Sequence, residues 1–401
     1  TPSLAAEEVQ ALLDSQADVV VLDARRFDEY QTMSIPTGIS VPGAELVLRA
    51  RELAPDPATR IIVNCAGRTR SIIGTQSLIN AGVANPVSAL RNGTIGWTLA
   101  GQTLAHGQSR RFAPTDEAHR QLAAQDARRV ADRARVGRAS LADLQHWQQD
   151  TTRTTYLFDV RTPEEFDTGH LPGARSTPGG QLVQETDHVA SVRGARLVLA
   201  DDDGVRANMS ASWLAQLGWE VHVLDDLQPA HFSETGAWVA PVPAAPQAEL
   251  ISPQTLAEWQ AHGDTVVLDF TASANYVKRH IPGAWWALRA QLPQALAKVP
   301  NAERYVLTCG SSQLARLAVA EVEALTGKHV FLLQDGTAGW IAAQLPLEAG
   351  ETRLASPRID RYRRPYEGTD NPKEAMQAYL DWEFGLVEQL ARDGTHGFYV
   401  I

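Results

Sequence analysis

Cysteine is nearly absent: Cys65 and Cys309 are the only two in 401 residues. Two cysteines cannot build a disulfide framework, and a reducing cytoplasm is the simplest setting for such a chain. No paired Cys/His spacing marks a structural zinc site. No apolar run approaches the length of a membrane span. An excess of positive charge is also missing. The formal net charge of -11 argues against nucleic acid or an anionic membrane as the main partner. The first residues carry no secretory-signal pattern, and Thr1 in place of an initiator methionine leaves room for an upstream segment. Against these absences stand 44% hydrophobic and 21% charged residues, the balance of a soluble globular protein, over a length suited to two to four domains.

Internal repetition organises the chain. An apolar run ending in aspartate occurs as Val19-Val20-Val21-Leu22-Asp23, Tyr156-Leu157-Phe158-Asp159 and Val266-Val267-Leu268-Asp269. A proline follows thirteen residues after each aspartate, in Ile35-Pro36, His170-Leu171-Pro172-Gly173-Ala174 and His280-Ile281-Pro282-Gly283-Ala284. A second apolar run then leads to Cys65, Asp201 and Cys309, which lie 42, 42 and 40 residues beyond the three aspartates. A further strand and turn closes the first and third copies, as Leu90-Arg91-Asn92-Gly93-Thr94-Ile95-Gly96-Trp97 and Leu333-Gln334-Asp335-Gly336-Thr337-Ala338-Gly339-Trp340. In the middle copy Val223-Leu224-Asp225-Asp226 stands there, and its Gly236-Ala237-Trp238 comes later. Each copy reads strand, helix, strand, helix, strand with short connections. That is the pattern of a parallel sheet with helices on both faces. Reactive groups in such a sheet belong at the carboxyl ends of strands.

Cys65 stands at such an end. Ile61-Ile62-Val63 reads as a buried strand, residues 65–70 as a tight loop and residues 72–79 as the start of a helix. Backbone amides at a helix N-terminus hold negative charge. The expectation is a thiol with a lowered pKa, usable as a nucleophile at neutral pH, with Arg68 and Arg70 adding positive potential. The bland alternative, an inert core cysteine, is what a lone Cys after an apolar strand usually means. Gly67 in the loop and the two arginines favour the reactive reading.

The aspartate-x-arginine strand ends, the His-Ile-Pro-Gly-Ala segment and the six-residue cysteine loop resemble those of rhodanese-type sulfurtransferases. The resemblance covers almost all of residues 1–105, 137–240 and 250–347. It implies an α/β fold of three tandem rhodanese-like domains, each a small parallel β-sheet with helices on both faces. The expected divisions are domain 1 (1–105), a helical linker (106–136), domain 2 (137–240), a proline-rich linker (241–249), domain 3 (250–347) and a tail with a helix (348–401).

The resemblance also implies a persulfide carried on Cys65, with Arg70 fixing the loop as its catalytic partner. Ala66, Gly67, Arg68 and Thr69 are the expected substrate-binding residues, the last two meeting a sulfonate or sulfite group. Trp97 and Arg49 are weaker candidates for the pocket wall. The implied reaction is ping-pong. It takes sulfur from thiosulfate or a persulfide and gives it to cyanide or a thiol, with no metal or organic cofactor. Ser34 replaces the histidine of the other copies, so His170 and His280 read as structural.

The middle copy keeps the loop length and Arg206, but Asp201 cannot form a persulfide. Its run Asp201-Asp202-Asp203 reads as a solvated acidic loop rather than a metal site. The third copy keeps Cys309 as a possible second site, with Leu314 at the place of Arg70. Arginines at 110, 111, 120, 128, 129, 133 and 135 make the first join basic, yet interleaved acids favour a solvated connecting helix. Two rival readings stand beside sulfur transfer. A cysteine phosphatase or arsenate reductase uses a longer Cys-x5-Arg ring than the Cys-x4-Arg found here. A non-catalytic scaffold fits the two degenerate loops but not an intact Cys65 loop.

Overall fold

The computed structural model describes residues 1–401 and contains three five-stranded sheets, every strand pair parallel. The first sheet comprises β1 (Ser3–Leu4), β2 (Val19–Asp23), β3 (Ile39–Ser40), β4 (Arg60–Asn64) and β5 (Val87–Leu90), in the order β1-β5-β4-β2-β3. The second comprises β6 (Gly137–Ala139), β7 (Thr155–Asp159), β8 (Arg175–Ser176), β9 (Arg196–Ala200) and β10 (Glu220–Leu224). The third comprises β11 (Glu249–Ile251), β12 (Thr265–Asp269), β13 (Trp285–Trp286), β14 (Arg304–Thr308) and β15 (His329–Leu333). Both repeat the order of the first. The edge strands of two or three residues are too short to leave a hydrophobic pattern in the sequence. The long apolar runs occupy the centre, because a strand covered on both faces must be apolar throughout. In β4, Ile61 and Val63 enter one core and Ile62 the opposite one.

The chain forms two compact units: residues 1–239 with 364–401, and residues 240–363. In the larger unit the first two repeats share a core. Val205 and Met209 pack with Leu46, Val63 and Leu78. The helix Glu117–Arg133 belongs to this core and is not simply a solvated connector. Ala123, Ala127, Val130 and Ala131 form a stripe buried at helical spacing, and the small side chains admit close packing. Its arginines occupy the outer face. The final residues return to the same unit, where Tyr399 Oη donates to Ala134 O at 2.6 Å. The smaller unit is built around the third sheet and two apolar clusters of its own. No helix is long and apolar enough to cross a membrane.

Candidate active site

Cys65 follows the central strand β4 and precedes the helix Thr69–Ala81. Asp23 at the end of β2 is bound by Arg25 at 2.9 and 2.7 Å and by Asn64 Nδ2 at 3.0 Å, which ties the two strand ends together just before the cysteine. Arg25 also donates to Met33 O at 2.6 Å.

From the far side the loop is held by the turn Asn92-Gly93. Both residues have positive φ, 61° and 55°. Thr94 N donates to Cys65 O at 2.9 Å and Ile95 N to Ala66 O at 3.0 Å. A Cβ on Gly93 would lie 2.2 Å from Cys65 O. Only glycine fits this approach and this backbone. The same device recurs at Gly336 against Cys309.

Arg70 is nearly buried and is bound to an acid rather than left free. Its two terminal nitrogens donate to Glu29 at 2.7 and 2.8 Å, a bidentate pair. Burial alone would push Glu29 up. The hydrogen bonds and charge of Arg70, with Arg25 and Arg26, reverse this and hold it at about 2. Glu29 is thus a site residue that motif reading passed over. It stands six residues after Asp23. Glu165 stands six after Asp159 and binds Arg206, while Asn275 stands six after Asp269 in the copy that has Leu314. That joint loss of acid and base was the available signal.

The Cys65 thiol lies 3.4 Å from Ser71 Oγ, which itself donates to Arg68 O at 2.9 Å. Ser71 was not singled out in the sequence either. The expectation of a lowered thiol pKa is not met in this closed arrangement. Burial pushes Cys65 up, and the opposing pull of Arg70 and of the Ser71 hydroxyl and amide is smaller. The physical reason is cover. Cys65 is 1% exposed.

The helix Lys373–Asp393 packs on the first repeat through Met376 and Leu380 against Ile95. Arg68 and Thr69, expected to face a sulfonate, are engaged by this helix. The Arg68 guanidinium lies 3.8 Å from the Phe384 ring centroid, and Thr69 Oγ1 donates to Glu383 Oε1 at 3.3 Å. Tyr379 Oη donates to the same oxygen at 3.1 Å. Gly67 lies under Tyr379 and Glu383, so a side chain there would meet both at about van der Waals contact or closer. Ala66 is buried beside Cys65. Trp97 and Arg49 are not walls of this pocket. Trp97 fills the core behind the sheet and donates to Thr103 O, while Arg49 binds Glu45 at 3.0 Å.

In the middle repeat the cradle is filled. Asp201 accepts from Gly204 N at 3.1 Å and Ala207 N at 2.7 Å. Ala207 corresponds in loop position to Ser71. The acidic run is solvated only at Asp202. Asp201 is buried, and the Asp203 carboxylate is held by Arg206 Nε at 2.6 Å. Arg206 also donates to Glu45 of the first repeat at 2.9 Å, inside the shared core. In the third repeat Cys309 is buried, Leu314 is 63% exposed and Arg316 lies beyond the loop. His170 and His280 have structural partners, Phe166 O at 2.8 Å and Tyr276 O at 2.6 Å.

A rhodanese-like domain profile matches residues 5–100, 140–226 and 252–343. The chain belongs to the rhodanese-like family. The crystal structure of a thiosulfate sulfurtransferase from Pseudomonas aeruginosa is 76% identical, with a TM-score of 0.99 over 100% of this chain and 76% of that one. Shorter matches include a rhodanese-like domain from Anabaena sp. (24% identity, TM-score 0.25, 29% of this chain and 89% of that one). Another is a rhodanese-related protein from Thermoplasma volcanium (22% identity, TM-score 0.23, 26% of this chain and 98% of that one). No curated protein matches the chain.

Proposed function

We infer that the protein is a rhodanese-type sulfurtransferase that carries sulfur on Cys65 in its first repeat. The observation that carries the reading is the Cys65 loop itself, a thiol at a helix start with Arg70 locked beside it by Glu29. Family membership and the activity of the Pseudomonas relative support the reaction class.

In the first half-reaction the Cys65 thiolate attacks the outer sulfur of thiosulfate. A sulfur–sulfur bond forms at Cys65, the bond to the sulfonate breaks, and sulfite leaves with the electron pair. The anionic persulfide sits where the Ser71 amide and hydroxyl and the positive potential of Arg70 favour negative charge. The sister loop supports this role: Gly204 N and Ala207 N donate to the Asp201 carboxyl, so this backbone shape turns its N–H groups toward whatever stands at the cysteine position. Cyanide or a thiolate then takes the terminal sulfur and frees the Cys65 thiolate. The smaller Cys-x4-Arg ring suits one sulfur atom better than a tetrahedral oxyanion, which argues against a phosphatase. The test is thiocyanate formation from thiosulfate and cyanide. Cys65→Ser is expected to abolish it and Cys309→Ser to leave most of it. Full activity in Cys65→Ser would refute the assignment.

A further inference from the structure

Glu383 is the one carboxylate that the C-terminal helix brings to the rim of the Cys65 loop, and half of it is unused. Oε1 accepts from Thr69 and Tyr379. Oε2 is buried with no hydrogen-bond partner, and it lies 3.1 Å from where a Cβ of Gly67 would be. The residue as a whole is 8% exposed. A buried, half-satisfied carboxylate is costly to keep. Apolar cover of the loop needs no acid here, since Met376 and Leu380 already supply the helix with its packing face.

Resting on the reading of Cys65 as the sulfur carrier, we propose that Glu383 is a specificity-determining residue of the Cys65 site, disfavouring donors that bring a second negative charge to the loop rim and favouring persulfides that carry an ammonium group. Burial pushes the Glu383 carboxyl up, and the hydrogen bonds from Tyr379 and Thr69 with the charges of Arg68 and Arg70 oppose this without reversing it. Arg68, however, is spread over Phe384 and Arg70 is committed to Glu29, so neither closes on Oε2 in this arrangement. Thiosulfate arrives with a sulfonate that must approach this rim beside a like charge. An amino-thiol persulfide brings an N–H-rich cation that Oε2 can accept from. Its sulfur transfer balances as Cys65 thiolate plus R–S–SH giving the Cys65 persulfide and the thiolate RS⁻. No further oxidant or reductant is consumed.

The experiment compares kcat/KM for three donors with cyanide as acceptor. The donors are thiosulfate, cysteine persulfide, and 3-mercaptopropionate persulfide, which keeps the carboxylate but lacks the ammonium. Glu383→Gln keeps the size and a hydrogen-bonding oxygen, and Glu383→Ala serves as a second variant. Thermal melting confirms that each variant folds. The expected result is a roughly tenfold gain for thiosulfate, the size of one removed like charge at partly screened range. The preference for cysteine persulfide over the mercaptopropionate persulfide is expected to fall by a similar factor. If all three donors change by one common factor, Glu383 is only packing and the proposal is overturned. If the Cys65→Ser variant transfers sulfur as well as wild type, the carrier reading fails instead.

Discussion

The first and second loops of this protein share a length, a strand, a helix and a bidentate Arg–Glu pair, yet they do opposite things with them. In the first, Glu29 holds Arg70 beside an ionisable thiol. In the second, Glu165 holds Arg206 in the same way. There the loop's amides are taken by its own buried Asp201 carboxyl, and Arg206 reaches Glu45 of the first repeat. The second loop has become a buried strut inside the larger unit. The third loop went the other way. It keeps the cysteine and the glycine buttress but lost acid and base together, as Asn275 and Leu314. It also lost the arginine that neutralises the strand-end aspartate, with Thr271 at that place. Asp269 is left buried, with one oxygen unpartnered, and burial raises it to about 7. The three copies separate what the fold needs from what the chemistry needs. The sheet tolerates loss of each charged pair, but only the first copy retains thiol, arginine and acid at once.

The comparison is broken most severely at the buttress. Gly93→Ala forces a Cβ into the Cys65 carbonyl and a strained φ, so sulfur transfer is expected to fall at least a hundredfold, about 3 kcal/mol or more of transition-state stabilisation. Steady-state kinetics alongside circular dichroism would separate this from global unfolding. Next in size is conversion of loop one toward loop three. Arg70→Leu leaves the partly buried Glu29 paired only with Arg26, so the cost is expected below the about 3–5 kcal/mol of breaking a fully buried pair on one side. The double variant Arg70→Leu/Glu29→Asn removes both charges as the third repeat does. It is expected to recover stability in a thermal melt but not kcat/KM, which stays roughly tenfold or more below wild type.

The effect least tied to the sulfur-carrying loop concerns the smaller unit and its pH dependence. Asp269 binds its proton more tightly folded than unfolded. Its contribution is therefore favourable at low pH and is lost as pH rises from about 4 towards 7. The integrated penalty is on the order of 4 kcal/mol at most. Asp269→Asn should raise the stability of that unit at pH 8 and leave it near wild type at pH 5. Chemical denaturation at the two pH values measures the difference. An equal effect at both would place the cost elsewhere.

Much of this architecture was legible because repetition makes small signals add. No single aspartate, proline or cysteine is decisive, but three sets at matched spacing locate every central strand and the loop after it. The shared core of the first two repeats was not legible. The alanine stripe at 123, 127, 130 and 131 lies in a segment dominated by arginines, and hydrophobic pattern alone undervalues alanine. Glu29 and Ser71 were missed because each works through one tertiary contact rather than through a motif. The contact of Thr69 with Glu383 joins residues 314 apart. A helix in the tail was legible, but not that it packs on the loop. The lowered thiol pKa expected from a helix start failed because burial of Cys65 outweighs the pull of Arg70 and Ser71, and the depth of that burial is set by packing that no motif spells out.

The central claim is that one of three related loops carries sulfur. Its most direct test is the intact mass of the full chain after brief exposure to thiosulfate, with the modified peptide located by fragmentation. The expected result is a gain of about 32 Da, one sulfur atom, on the Cys65 peptide and none on that of Cys309. A gain confined to Cys309, or one that persists in Cys65→Ser, would contradict the account.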